Sequence, residues 1–125
     1  MCAAMETAFR NEYRVTDAGI SVTVTPGADS TPKDKASTAR IVTLLCCAPN
    51  GIQEMSADIP GLVQTSLNLG VMRMDETGAQ FTFSVRSAIA SQKEMLIQRV
   101  KSIVEYAGGT VGERSNYPGW QYDRD

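Results

Sequence analysis

Apolar positions recur along the chain with two different periods. Met5, Phe9 and Tyr13 fall four residues apart with charged residues between them, which predicts a helix over residues 2–14. Asp17-Ala18-Gly19 breaks that pattern. Ile20, Val22 and Val24 then alternate with Ser21, Thr23 and Thr25, as on a half-buried strand ended by Pro26-Gly27. A second helix is predicted to start near Ser30 or Thr31, with Pro32 in its first turn and Ile41, Val42, Leu45 and Ala48 as its apolar stripe. Pro49-Asn50-Gly51 stops it, and residues 51–65 read as irregular. Leu67, Leu69 and Val71 alternate with polar or small residues, and Phe81, Phe83 and Val85 do the same after a turn around Asp75–Gly78. The two segments predict a hairpin. Ser91 and Glu94 have capping-box spacing, opening a helix whose apolar face is Leu96, Val100, Ile103, Val104 and Ala107. Gly108-Gly109 supplies a left-handed stop. A short last strand is expected over Thr110–Ser115, then a turn at Tyr117-Pro118-Gly119-Trp120.

After the first helix the order is strand, helix, strand, strand, helix, strand. That order predicts an α+β, ferredoxin-like βαββαβ unit, a four-stranded antiparallel sheet with two helices on one face. The expected organisation is a single domain over 1–125, with an N-terminal helix in 1–15, the βαββαβ unit in 19–116 and a C-terminal tail in 117–125.

Composition narrows the function classes. A net charge of −2 offers no electrostatic footprint for nucleic acid or an anionic membrane. No apolar run approaches the roughly 18 residues that span a bilayer. The first residues lack the basic and apolar regions of a secretory signal. Three cysteines, two of them adjacent, do not make a disulfide framework, so a reduced cytoplasmic setting is expected. The absence of histidine removes the commonest metal ligand and the commonest general base.

Few residues suggest chemistry. Arg86 ends a strand and, by alternation, points away from Phe83 and Val85, on the side of Thr82 and Ser84. A guanidinium there can grip a carboxylate with two hydrogen bonds, although the residue by itself reads more readily as a solvated surface arginine. Cys46-Cys47 lacks metal or redox spacing and reads as small apolar residues at a helix end. Phe81 and Phe83 alternate as base-stacking aromatics do, but without any basic surroundings they read as core. Asp17, Asp29, Asp34 and Asp58 fit no calcium loop and read as caps and turns. Met72 and Met74 flank Arg73 near the hairpin tip and read as gap-filling core, with an exposed interaction surface as the other option.

Three patches together resemble a known family. They are Ala48-Pro49-Asn50-Gly51-Ile52 with Ser56 to Val71 (Ser-Ala-Asp-Ile-Pro-Gly-Leu-Val-Gln-Thr-Ser-Leu-Asn-Leu-Gly-Val), then Phe83-Ser84-Val85-Arg86-Ser87 followed by Ser91, then Tyr117-Pro118-Gly119-Trp120. In order and spacing they are similar to the second half of the lid insertion of the cytosolic Xaa-His dipeptidases, over roughly residues 36–122.

The resemblance implies a zinc metallopeptidase, a hydrolase of aminoacyl-histidine-type dipeptides. Its catalytic domain binds zinc, and an inserted lid domain closes over substrate and often supplies a dimer interface. Asn50 and Asn68 lie in the matching stretches without an assigned role. An arginine at the position of Arg86 is implied to bind the substrate's C-terminal carboxylate, which reverses the reading of that residue. The zinc ligands and the catalytic base lie outside the matching stretches. The chain is therefore expected to bind no metal itself, to be inactive alone, and to act with the catalytic domain of the same parent chain, as a homodimer in the cytoplasm. The alternative from another class is a stand-alone ferredoxin-like regulatory or small-ligand-binding module. Neither reading involves nucleic acid or a membrane.

Overall fold

The structure, a computed structural model, describes residues 1–27 and 31–114. It divides into two compact units, Met1–Pro32 and Lys33–Asp125.

The first unit is helix α1 (Cys2–Glu12) followed by a returning segment. The Tyr13 amide closes the helix on the Phe9 carbonyl at 2.8 Å, and the Asp17 amide turns back onto the Tyr13 carbonyl at 2.7 Å. The strand expected over Ile20–Thr25 does not form. Side chains of α1 take the backbone groups that a neighbouring strand would need. Arg10 Nε donates to the Ile20 carbonyl at 2.8 Å and Glu6 Oε2 accepts from the Val22 amide at 3.1 Å. Glu6 and Arg10 are themselves paired at 2.9 Å. Alternation of Ile20 and Val22 thus reports an extended segment with one half-buried side, not a ladder partner.

The second unit opens with α2 (Lys35–Cys47). It starts later than the Pro32 signal suggests because Asp34 is the N-cap, accepting from the Ser37 amide at 2.9 Å. It ends at Ala48, whose ψ of 131° is the extended conformation favoured before Pro49. The predicted stripe is rotated. Leu44 is buried and Ile41 and Ala48 are half-buried, whereas Val42 is 51% and Leu45 37% exposed. Packing of α2 against the third helix, α3 (Ala90–Tyr106), selects one edge of the apolar arc.

The sheet has three antiparallel strands among the described residues, β1 (Gly51–Met55), β2 (Val63–Met74) and β3 (Ala79–Ser87), in the order β1-β2-β3. Among the described residues no fourth strand joins it, so they do not form the expected four-stranded ferredoxin-like sheet. The first expected strand is the segment held by α1, and the last, over Thr110–Ser115, is irregular through Arg114, with Ser115 outside the described residues. Conversely, β1 lies in a stretch expected to be irregular. It is a short edge strand with shifts in register after Ile52 and after Glu54, so its hydrogen bonds to β2 leave little trace in hydrophobic pattern. Gly51, at φ 82°, permits the reversal out of Pro49-Asn50.

The β2–β3 hairpin follows expectation with one change. Leu67 faces Val85 and Leu69 faces Phe83, but a register shift between Leu69 and Val71 sends Val71 to the opposite face, where it meets Thr82. Met72 and Met74 thereby join the face of Phe81 and Ala79.

One helix, α3, lies on β2 and β3, while α2 packs beside it, so the sheet face is not covered by two helices equally. The buried core is Leu67, Leu96 and Val100, with Phe83, Val85 and Val104 packed around it. All five residues of the predicted α3 face are buried or half-buried. Its start differs from the predicted capping box. The N-cap is Ile89 without a side-chain bond, Ser91 is already helical, and Glu94 instead accepts from Gln98 at 2.9 Å. Its end is a full Schellman motif, with Gly108 N–H on the Glu105 carbonyl and Gly109 N–H on the Val104 carbonyl, both at 2.9 Å. No helix among the described residues is long and apolar enough to cross a membrane.

Candidate functional site

Antiparallel pairing puts directly opposed residues on one face. Ser66 opposes Arg86, and Asn68 opposes Ser84, on the face of the sheet turned away from α3. Ile52 of β1 opposes Ser66 in turn, giving a row Ile52, Ser66, Arg86 across the three strands. The Arg86 side chain is exposed and makes no hydrogen bond or ion pair with a described residue. Neither β2 nor β3 contains an aspartate or glutamate, and their two charges are Arg73 and Arg86. The result is a polar surface with an uncommitted guanidinium next to hydroxyl and carboxamide side chains. Such a surface can take a carboxylate, by a bidentate bond from the arginine and single bonds from its neighbours.

The inward side of the same strand ends is polar too, which the alternation alone did not reveal. Thr65 is 1% exposed. Its hydroxyl lies 2.8 Å from Ser87 Oγ and donates to Gln92 Oε1, which also accepts from Gln64 Nε2 at 3.0 Å. Ser87 Oγ accepts from the Ile89 amide at 3.0 Å. A threonine two residues before Leu67, on the apolar face, was the available sequence signal. A second unforeseen contact is Asn50 Oδ1 accepting from the Leu69 amide at 3.0 Å.

The remaining sequence candidates resolve into structural roles. Phe83 packs on the core and Phe81 is half-buried. Cys46 and Cys47 are free and exposed, so they are not core residues. Met72 and Met74 are both nearly half exposed, so neither fills the core. Asp17 accepts from the Gly19 amide at 3.3 Å, and Asp34 is a helix cap. Asp58 sits in a turn where Ser56 Oγ accepts its amide proton at 3.3 Å. Asp29 and the Tyr117–Trp120 patch lie outside the described residues. Asp75, not singled out from sequence, organises the hairpin turn. Its Oδ1 accepts from the Thr77 hydroxyl at 2.6 Å and from the Thr77 and Gly78 amides at 2.8 and 3.1 Å. These bonds lower its pKa, as the Ser37 bonds lower that of Asp34. Among the described residues no three His, Cys, Asp or Glu side chains converge as metal ligands.

A broad open groove runs beside β3, walled by Ile41 and Leu44 of α2, Val104 of α3 and residues 107–114, with Arg86 on its lining. The outer edge of β3 pairs with no strand among the described residues.

The chain as a whole is similar to known proteins. No protein-family model matches the chain. Over 100 residues, 76% of its length, the chain is 35% identical to the cytosol non-specific dipeptidase of Escherichia coli (strain K12). It spans 21% of that protein's length. The crystal structure of the aminoacylhistidine dipeptidase from Vibrio alginolyticus superimposes with a TM-score of 0.84 at 27% identity, covering 97% of this chain and 25% of that one. The chain is therefore a relative of the aminoacyl-histidine and cytosol non-specific dipeptidases, corresponding to one stretch of about a fifth to a quarter of their length.

Proposed function

We propose that this segment is the lid and dimerisation part of a metal-dependent dipeptidase acting on aminoacyl-histidine-type dipeptides, and that Arg86 binds the substrate's C-terminal carboxylate. The observation that carries the reading is an exposed Arg86 side chain, unpaired among the described residues, on a β2–β3 hairpin whose strands hold no acid, in a chain similar to two dipeptidases. An enzyme that cleaves dipeptides must distinguish a free carboxylate from a continuing chain. A guanidinium fixed on a strand does so by two directed hydrogen bonds, whereas a neutral amide in that place loses the charge-assisted term. Placing the cation on a rigid sheet positions the scissile bond at a set distance from the terminus.

The residues described here do not fit a metal site, so in this reading zinc is held by a catalytic domain elsewhere in the longer chain. When bound there, zinc supplies polarisation of the carbonyl and activation of water. This segment supplies substrate orientation and, on closure, exclusion of water. The outer edge of β3, which pairs with no strand among the described residues, favours assembly with a second copy, and the free cysteines and the cytosolic relative favour the cytoplasm.

The test is Arg86→Ala in the full-length dipeptidase that carries this segment, assayed on a dipeptide and on its C-terminal amide. Turnover of the free acid should fall by roughly tenfold or more, as for loss of a charged hydrogen bond, with zinc content unchanged. Unaltered preference for the free acid removes Arg86 from the site.

A further inference from the structure

We propose that Thr65, Ser87 and Gln92 are positioning residues that pin the register of β2 against β3 where Arg86 sits, and so decide the face on which its guanidinium is presented. The inference rests on the reading of Arg86 as the carboxylate-binding residue. Side chains alternate along a strand, so a slip of one residue would turn Arg86 into the core and bring Ser87 to the outer face.

The hairpin turn does not set the register at that end. Pairing runs without a break from Met74 and Ala79 to Val71 and Thr82, then shifts by one residue before Leu69 and Phe83. A bulge of this kind uncouples the two ends of the ladder. Everything from Leu69 to Thr65 needs a local determinant.

Leu67 and Val85 provide part of it by burial, and the polar group beyond them provides the rest. Thr65 and Ser87 are directly opposed, and their hydroxyl oxygens lie 2.8 Å apart. Gln92, in the first turn of α3, accepts from both Thr65 and Gln64, while Ser87 Oγ also takes the Ile89 amide. The Ala88 amide returns to the Gln64 carbonyl at 3.1 Å. The group therefore ties β2, β3 and the start of α3 together one residue from Arg86. No buried side-chain polar atom among the described residues lacks a partner. A slipped register would leave the Thr65 hydroxyl buried and unpaired, which selects against it far more sharply than an apolar contact would.

The experiment compares Thr65→Val, Thr65→Ser and Gln92→Ala with Arg86→Ala in the full-length dipeptidase. The readout is the ratio of kcat/KM for a free-acid dipeptide to that for its C-terminal amide. In the 125-residue chain, the cross-strand NOE between Ser66 and Arg86 reports register directly. Thr65→Val and Gln92→Ala should lower the ratio by about tenfold, mainly through KM for the free acid, with the NOE weakened. Thr65→Ser should keep both near wild type. Should Thr65→Val fail to fold, Ser87→Ala at a half-buried position carries the same expectation. An equal loss on acid and amide, or an unchanged ratio in folded Thr65→Val and Gln92→Ala beside a collapsed ratio in Arg86→Ala, overturns the positioning role. An unchanged ratio in Arg86→Ala overturns the reading of Arg86 beneath it.

Discussion

Asn50 Oδ1 accepts the Leu69 amide at 3.0 Å, so a side chain continues the hydrogen bonding of β2 one step beyond the point where β1 begins. The amide would otherwise face a sheet edge with no strand beside it. Asn50→Ala should cost about 1 kcal/mol, the usual net value of such a bond, read as a shift of the urea midpoint at constant slope. Asn50→Asp, which keeps the acceptor, should recover most of it at neutral pH.

The core is small, which makes each member matter. Leu96 is fully buried against Leu67 and Val100. Leu96→Ala should destabilise the second unit by roughly 2–5 kcal/mol, the range for truncating a buried leucine. Val42→Ala, on the exposed side of α2, should move the chemical-denaturation midpoint little. Equal effects would show that α2 packs differently from the arrangement described.

Gly108 ends α3 at φ 80°, and a Cβ on Gly109 would come within 2.9 Å of Val104 Cγ1. Gly108→Ala should cost about 1 kcal/mol because an L-residue is strained in the left-handed region. Gly112→Ala, with open space around it, serves as the control. Thermal unfolding by circular dichroism compares the two.

Asp34 and Asp75 carry carboxyls held below the usual range, the first by bonds from Ser37 and the second by the Thr77 hydroxyl and the Thr77 and Gly78 amides. A carboxyl with a lowered folded pKa stabilises the fold in its ionised form. Its contribution is complete above the ordinary aspartate value near 4 and is lost as pH falls through the lower folded value. The Asp34→Asn, Asp75→Asn double variant should therefore show a shallower loss of stability with acid below about pH 4 than the parent. Parallel curves would mean that neither bond discriminates ionised from neutral carboxyl.

Arg86→Lys separates charge from geometry. Lysine keeps the positive charge but cannot present two parallel N–H groups. Under the proposed role, in the full-length protein that carries this segment, it should retain part of the free-acid preference that Arg86→Ala is expected to lose. A lysine variant no better than alanine would show that the bidentate fork carries the recognition, whereas full activity would show that a point charge suffices.

Local signals determined the elements that local chemistry can specify. The α1 repeat of Met5, Phe9 and Tyr13, the α3 face from Leu96 to Ala107, the Gly108-Gly109 stop and the Asp75–Gly78 turn all lie within a few residues of their own causes. Alternation also placed Arg86 on the face opposite Phe83 and Val85, and three sequence patches already pointed to the dipeptidases. Tertiary structure decided what depends on a neighbour. Ile20–Thr25 has the pattern of a strand, but Glu6 and Arg10 occupy the backbone groups a ladder requires. Gly51–Met55 has no such pattern, yet β2 makes it a strand by supplying hydrogen bonds that leave no hydrophobic period. Val71 turned outward because a bulge, invisible in composition, shifts the register after Leu69. The Thr65, Ser87 and Gln92 group is likewise beyond local reading, because its members are brought together only when a hairpin closes and a helix docks on it. Periodicity encodes which side of a segment is apolar, and only packing determines which partner that side meets.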